Sequence, residues 1–103
     1  MIARVWRGET RAADADRYLD YLRRTGLADC RARPGNRGVM IQRRVAADRA
    51  EFVFTSFWDS MDDIRAFAGA DVHAARYYPQ DEEMLLAMPP DIGHFEVVAD
   101  ERD

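Results

Sequence analysis

Apolar and polar positions along this chain fall into two rhythms. Four stretches have the composition and alternation of strands: Ile2–Gly8, Gly38–Val45, Ala50–Trp58 and Ile92–Ala99. Gly8 closes the first run, and Asp48-Arg49 makes a connection short enough for Gly38–Val45 and Ala50–Trp58 to form a hairpin. Because side chains alternate across a strand, Ile2, Arg4 and Trp6 share one face and Ala3, Val5 and Arg7 the other. In the same way Phe52, Phe54, Ser56 and Trp58 point one way, and Glu51, Val53, Thr55 and Phe57 the other. Between the strands, Ala15, Tyr18, Leu19 and Leu22 recur at helical spacing, as do Ile64, Phe67 and Ala68. Thr10 is placed to cap the first helix, and Gly26 followed by Leu27 reads as its left-handed ending. Ser60 with Asp63 three residues on is a capping box for the second helix, and Gly69 ends it. Pro34-Gly35-Asn36 is a turn. A further turn is expected over Val72–Arg76 and a short helix over Asp81–Met88, stopped by Pro89-Pro90.

The order is β-α-β-β-α-β with a helical insertion before the last strand. That predicts an α+β, ferredoxin-like fold: a four-stranded antiparallel sheet with helices on one face. Residues 1–103 read as a single domain. Neither face of the strands is cleanly polar. An antiparallel sheet with one wet face should alternate more sharply, so helices are expected over one face and a second copy of the chain over the other, a homodimer.

Composition narrows the function. Hydrophobic residues at 48% and charged residues at 33% suit a chain that folds around its own core. The net charge is −4, and a nucleic-acid module would show a basic stripe instead. The fifteen cations are all arginine. One cysteine, Cys30, excludes an intrachain disulfide and a cysteine-cluster zinc site, and nothing near it in sequence activates a thiol. No spacing typical of a metal site is present, and no cofactor motif. The N-terminus is too short and too charged for a signal peptide, and no apolar run approaches membrane-spanning length. A soluble, cytoplasmic protein is expected, without nucleic acid or membrane as partner.

Few residues carry obvious chemistry. His94 opens the last strand and has a general base's reference pKa; a hydrogen-bonded strand-end histidine is the plainer alternative. His73 reads as solvated. Asp62-Asp63 and Asp81-Glu82-Glu83 sit where helices begin, and the helix dipole accounts for them. The remaining set is Trp6, Phe54, Trp58, Phe67, Tyr77 and Tyr78, with Arg4 and His94. Aromatic walls with a few polar tips build small-ligand clefts, and the same residues build ordinary cores.

The segments MIARVWRGETRAADADRYLDYLRRTGL, PGNRGV, FTSFWDSMDDIRAF and DEEMLLAMPPDIGHFEVV together resemble the antibiotic-biosynthesis monooxygenase superfamily over nearly the whole chain. The resemblance implies a dimeric α+β barrel, two ferredoxin-like sheets face to face. It implies small monooxygenases that oxidise phenol- or quinol-type aromatics with molecular oxygen and no cofactor. The ligand would lie between sheet and helices, with Trp58, Tyr77 and His94 as catalytic candidates and Arg4, Trp6, Phe54, Phe67 and Tyr78 lining the site. A non-catalytic ligand-binding or stress-related dimer of the same fold is the alternative. The superfamily's haem-degrading branch is the least expected. Its first-strand Asn is missing here, its helix Trp position reads Phe67, and its His ligand position falls near Tyr77, with only His73 nearby.

Overall fold

The computed structural model describes residues 1–102. Four strands, β1 (Ile2–Arg11), β2 (Asn36–Ala46), β3 (Arg49–Trp58) and β4 (Gly93–Glu96), form one sheet in the order β2-β3-β1-β4, every neighbouring pair antiparallel. Two helical layers lie on one face. The first runs from a 3₁₀ turn (Ala12–Asp14) through α1 (Ala15–Leu22) and a π-helical turn (Arg23–Leu27) into α2 (Ala28–Arg31). The second is α3 (Met61–Ala68), and a four-residue α4 (Asp81–Met84) lies in the excursion that precedes β4. This is the ferredoxin-like arrangement that the order of elements predicted.

The residues explain each boundary. Ser60 caps α3: its Oγ accepts the Asp63 amide at 3.2 Å and donates to Asp63 Oδ2 at 2.9 Å. Gly69 ends α3 at φ 91°, a conformation glycine adopts without strain. Arg37 is an extra residue in β2, since Asn36 faces Trp58 while Gly38 faces Phe57. Its guanidinium forks onto Asp59 at 2.7 and 3.0 Å.

Several expected boundaries move. Gly8 does not close β1, which runs on to Arg11. Instead Gly8 lets the Trp6 indole lie flat across it: a Cβ there would fall 2.2 Å from the ring. Thr10 is no helix cap. It pairs with Ala50 in the ladder and is fully buried. Gly26 does not end the first helix either; its φ is not positive, and the helical path continues to Arg31. Val72–Arg76 is not a helical turn throughout, because Ala74 bridges Asp91 and Ala75 N–H donates to the Pro90 carbonyl. Asp81–Met88 shortens to Asp81–Met84: Leu85 turns extended to bridge Thr10, and Leu86 N–H donates to Glu9. The last strand spans four residues, not Ile92–Ala99.

The core lies between sheet and helices in two clusters. One gathers Trp6, Tyr18, Phe52 and Met84 under α1. The other gathers Cys30, Trp58, Ile64, Phe67 and Val72 under α3. The opposite sheet face is not apolar throughout, as the alternation suggested. Ala3, Val5, Phe57, Met40 and Phe95 make one end apolar, whereas Arg7, Glu9, Gln42 and the Arg44–Glu51 ion pair make the other polar. Phe95 stands 59% exposed there. No helix among the described residues is long and apolar enough to cross a membrane.

Candidate functional site

A half-open cleft with space of about 60 Å³ lies between the sheet and its helical cover. Its floor is the inner face of β1 and β3: Arg4 and Trp6 from one, Phe54 and Ser56 from the other. α1 contributes Tyr18, and the segment between Gly69 and Ile92 roofs it with Tyr77, Tyr78 and Asp81.

That roof is held by polar contacts. Trp6 Nε1 donates to the Tyr77 hydroxyl at 3.1 Å, and that hydroxyl donates in turn to the Pro89 carbonyl. The two rings meet edge-on, centroids 6.2 Å apart. Tyr78 donates its hydroxyl to Asp29 at 2.6 Å. Asp81 is buried and accepts from the Tyr18 hydroxyl at 2.9 Å and from the Tyr78 amide at 2.7 Å. Burial, reinforced for Tyr18 by Asp81 and for Tyr78 by its bond to Asp29, raises both phenols above the ordinary range. Burial also raises Tyr77. All three are therefore donors at neutral pH, not bases.

Arg4 is 4% exposed and, among the described residues, has no carboxylate partner. Its Nη1 donates to the Val72 carbonyl at 2.5 Å and to His94 Nε2 at 2.9 Å; Nη2 donates to the Ala74 carbonyl at 3.2 Å. An arginine cannot accept a hydrogen bond, so His94 Nε2 must carry the lone pair and Nδ1 the proton. Nδ1 is buried without a partner among the described residues. Burial, then Arg4, then His73 across 5.5 Å, hold the His94 pKa below its ordinary value. His94 is accordingly a neutral acceptor that orients Arg4.

The structure brings Arg4, Trp6, Phe54, Phe67, Tyr77 and Tyr78 together along the cleft. It does not place Trp58 or His94 on its walls. Trp58 is fully buried against Phe67, centroids 5.3 Å apart, and reaches the cleft only through Ser56, whose Oγ accepts from its Nε1 at 2.8 Å. His94 stands behind Arg4. Asp81, Tyr18, Ser56, Cys30 and Arg76 line the cleft without having been singled out as site residues. Burial pushes the Cys30 thiol up to about 11, which leaves it an unreactive thiol. Arg76 lies over the rings of Phe67 and Tyr78 at 5.0 and 5.6 Å, with its charge partly met by Asp29 at 3.6 Å.

No family model and no curated protein matches the chain. Solved structures do. The haem-degrading protein MhuD of Mycobacterium tuberculosis, with two haems bound in its active site, is 24% identical over 99% of this chain and 100% of its own, TM-score 0.59. A candidate antibiotic biosynthesis monooxygenase of Bacillus cereus is 13% identical over 99% and 95%, TM-score 0.66. A Nitrosomonas europaea protein of unknown function is 19% identical over 99% and 93%, TM-score 0.59. At these identities the likeness is one of fold. The ferredoxin-like fold of the single chain that the resemblance implied is therefore the observed one.

Proposed function

We propose that this chain is an oxygenase of the antibiotic-biosynthesis-monooxygenase fold that binds a small aromatic substrate in the cleft over Arg4 and Trp6. The observation that carries the reading is the cleft itself: a concave site walled by Trp6, Phe54 and Tyr77 with one buried cation at its floor. Aromatic walls take up a planar ring, and few polar groups orient it. The monooxygenase-type neighbour supports oxygen chemistry on this fold. In this reading Arg4, Trp6, Phe54, Tyr77, Tyr78 and Phe67 contact the substrate, and Trp58 and His94 position Ser56 and Arg4 from behind. The cleft walls supply no free base, since Asp81 is already engaged by two donors and the tyrosines hold their protons. A substrate that gives up its proton readily is therefore required. The same observation favours the rival reading, a binder that performs no turnover. Oxygen uptake above the protein-free rate with a dihydroxynaphthalene supports the oxygenase; binding of that compound with no added uptake leaves the binder.

The haem-degrading neighbours run against the low place of haem breakdown among the expected functions. The residues present do not fit that group. Neither histidine lines the cleft, His94 Nε2 is committed to Arg4, and the Tyr77 and Tyr78 hydroxyls are committed to Pro89 and Asp29. No Soret shift is expected on titrating haem; a shifted band would reverse this reading.

We also place a second copy of the chain on the apolar end of the outer sheet face, where Phe57 is partly buried and Phe95 stands out. Covering that patch removes apolar surface from water at about 25 cal/mol per Å². Sedimentation should give a dimer at micromolar concentration, and a monomer there would remove the proposal.

A further inference from the structure

The Arg4 guanidinium has five N–H donors. The protein uses three: both on Nη1 and one on Nη2. Nε–H and the second Nη2–H remain without a protein partner among the described residues. With the Ala74 carbonyl on the Nη2–H that faces Nη1, the two lie along one edge of the guanidinium, the pair that grips a carboxylate with two parallel bonds. Burying a cation is unfavourable unless an anion comes with it, and the three acceptors it has are two carbonyls and a neutral imidazole, none charged. The folded chain therefore holds a buried positive charge at the floor of an aromatic cleft with a two-donor edge to spare.

We infer that the ligand of this cleft is an aromatic carboxylate, its two oxygens held by Arg4 Nε–H and Nη2–H and its ring laid against Trp6, Phe54 and Tyr77. This rests on the aromatic-cleft reading above and deepens it. A phenolate, with a single charged oxygen, fills the two-donor edge less well. The other end of the cleft sets the orientation. Arg4 lies opposite Ser56 and Gly8 opposite Phe52, so the Phe52 rank is four residues further along β1, about 13 Å. Tyr18 packs on Phe52 at 5.1 Å and carries Asp81 with it. Asp81 makes no ion pair with Arg4 among the described residues, so a carboxylate entering the cleft is drawn to Arg4 and repelled by Asp81. The carboxylate is a fixed handle in this arrangement, and the chemistry of the ring is a separate matter.

Calorimetric titration of the full chain with benzoate, benzamide and 4-nitrophenolate tests the inference. Benzoate and benzamide have nearly the same shape, so the wild-type protein alone decides between charge and shape. Benzoate should bind about tenfold or more tightly than either of the others, the size expected of a charge-assisted pair. Arg4→Lys, which keeps the charge but loses the fork, should bring benzoate down to the level of 4-nitrophenolate. Equal binding of benzoate and benzamide overturns the inference and leaves the aromatic cleft standing. Phenolate binding as tight as benzoate overturns it in favour of a single-oxygen seat. Benzoate preference without oxygen uptake on any aromatic keeps the inference and removes the oxygenase. Failure of every aromatic to bind removes both.

Discussion

Trp58→Ala should cost the fold about 3–5 kcal/mol, a large share of the roughly 5–15 kcal/mol that holds a domain of this size together. The Trp58 ring is completely buried and packs with Cys30, Ile64, Phe67 and Val72 beneath α3. Its Nε1–H is met by Ser56 Oγ. Truncation would leave a cavity that α3 and the sheet cannot both close, because α3 is pinned at its start by Ser60 and Asp63 and at its end by Gly69. Urea denaturation with an unchanged slope would show the loss as stability alone. Trp58→Phe separates packing from chemistry. It keeps the ring against Phe67 and drops only the bond to Ser56, worth about 1 kcal/mol. Oxygen uptake by the folded Phe variant should stay within about twofold of wild type, the effect of one lost indirect contact. A Phe variant that folds normally and turns over nothing would return Trp58 to the chemistry.

Much of the fold was legible because its signals are local. Period-two alternation located the strands, the Ser60–Asp63 box and Gly69 bracketed α3, and the order of elements was enough for the sheet topology. Gly26 misled because glycine permits a left-handed ending without requiring one. It read as a helix ending, yet its φ is not positive and a Cβ there would make only ordinary contact with the Phe54 ring at 3.5 Å, so the helix passes through it as it would through alanine. The cleft was legible only in part. Alternation puts Trp6, Phe54 and Trp58 on one face but cannot say which of them lies beneath open space. That depends on the segment from Gly69 to Ile92, which has no periodicity and is held by pairings distant in sequence, such as Leu85 with Thr10. The pairing of Arg4 with His94 needed the β1–β4 register, which no residue type reveals. Asp81 was missed because the helix dipole already explained an acid there. No residue type signalled it, since the bond that Asp81 accepts ahead of the helix comes from the backbone N–H of Tyr78, which any residue but proline would offer.

Asp81→Ala should cost about 2–5 kcal/mol, because it strands one buried donor, worth about 1–3 kcal/mol when left unpaired, and a second, half-buried donor worth somewhat less. The donors are the Tyr18 hydroxyl from α1 and the Tyr78 amide from the roof, so a single carboxylate ties two layers together. Tyr18 cannot escape by ionising, since burial alone, the larger cause of its raised pKa, remains to hold its phenol protonated. Nor can it turn to water, being 1% exposed. Asp81→Asn should fall between Ala and wild type: its carbonyl can serve one donor, and turning its amide toward the Tyr18 oxygen still leaves the Tyr18 O–H without an acceptor. The loss should appear first in the roof. Amide exchange at Tyr78 and across residues 74–92 should quicken in both variants more than exchange in β1 or β3, whose ladder Asp81 does not touch. Ligand binding should weaken with it, because Tyr77 and Tyr78 are carried on the same segment. If Asp81 were instead a base for the reaction, Asp81→Asn would lose turnover while the Tyr78 amide stayed as protected as in wild type. The two donors already on its oxygens predict the opposite, an Asn variant whose roof loosens in step with whatever activity it loses.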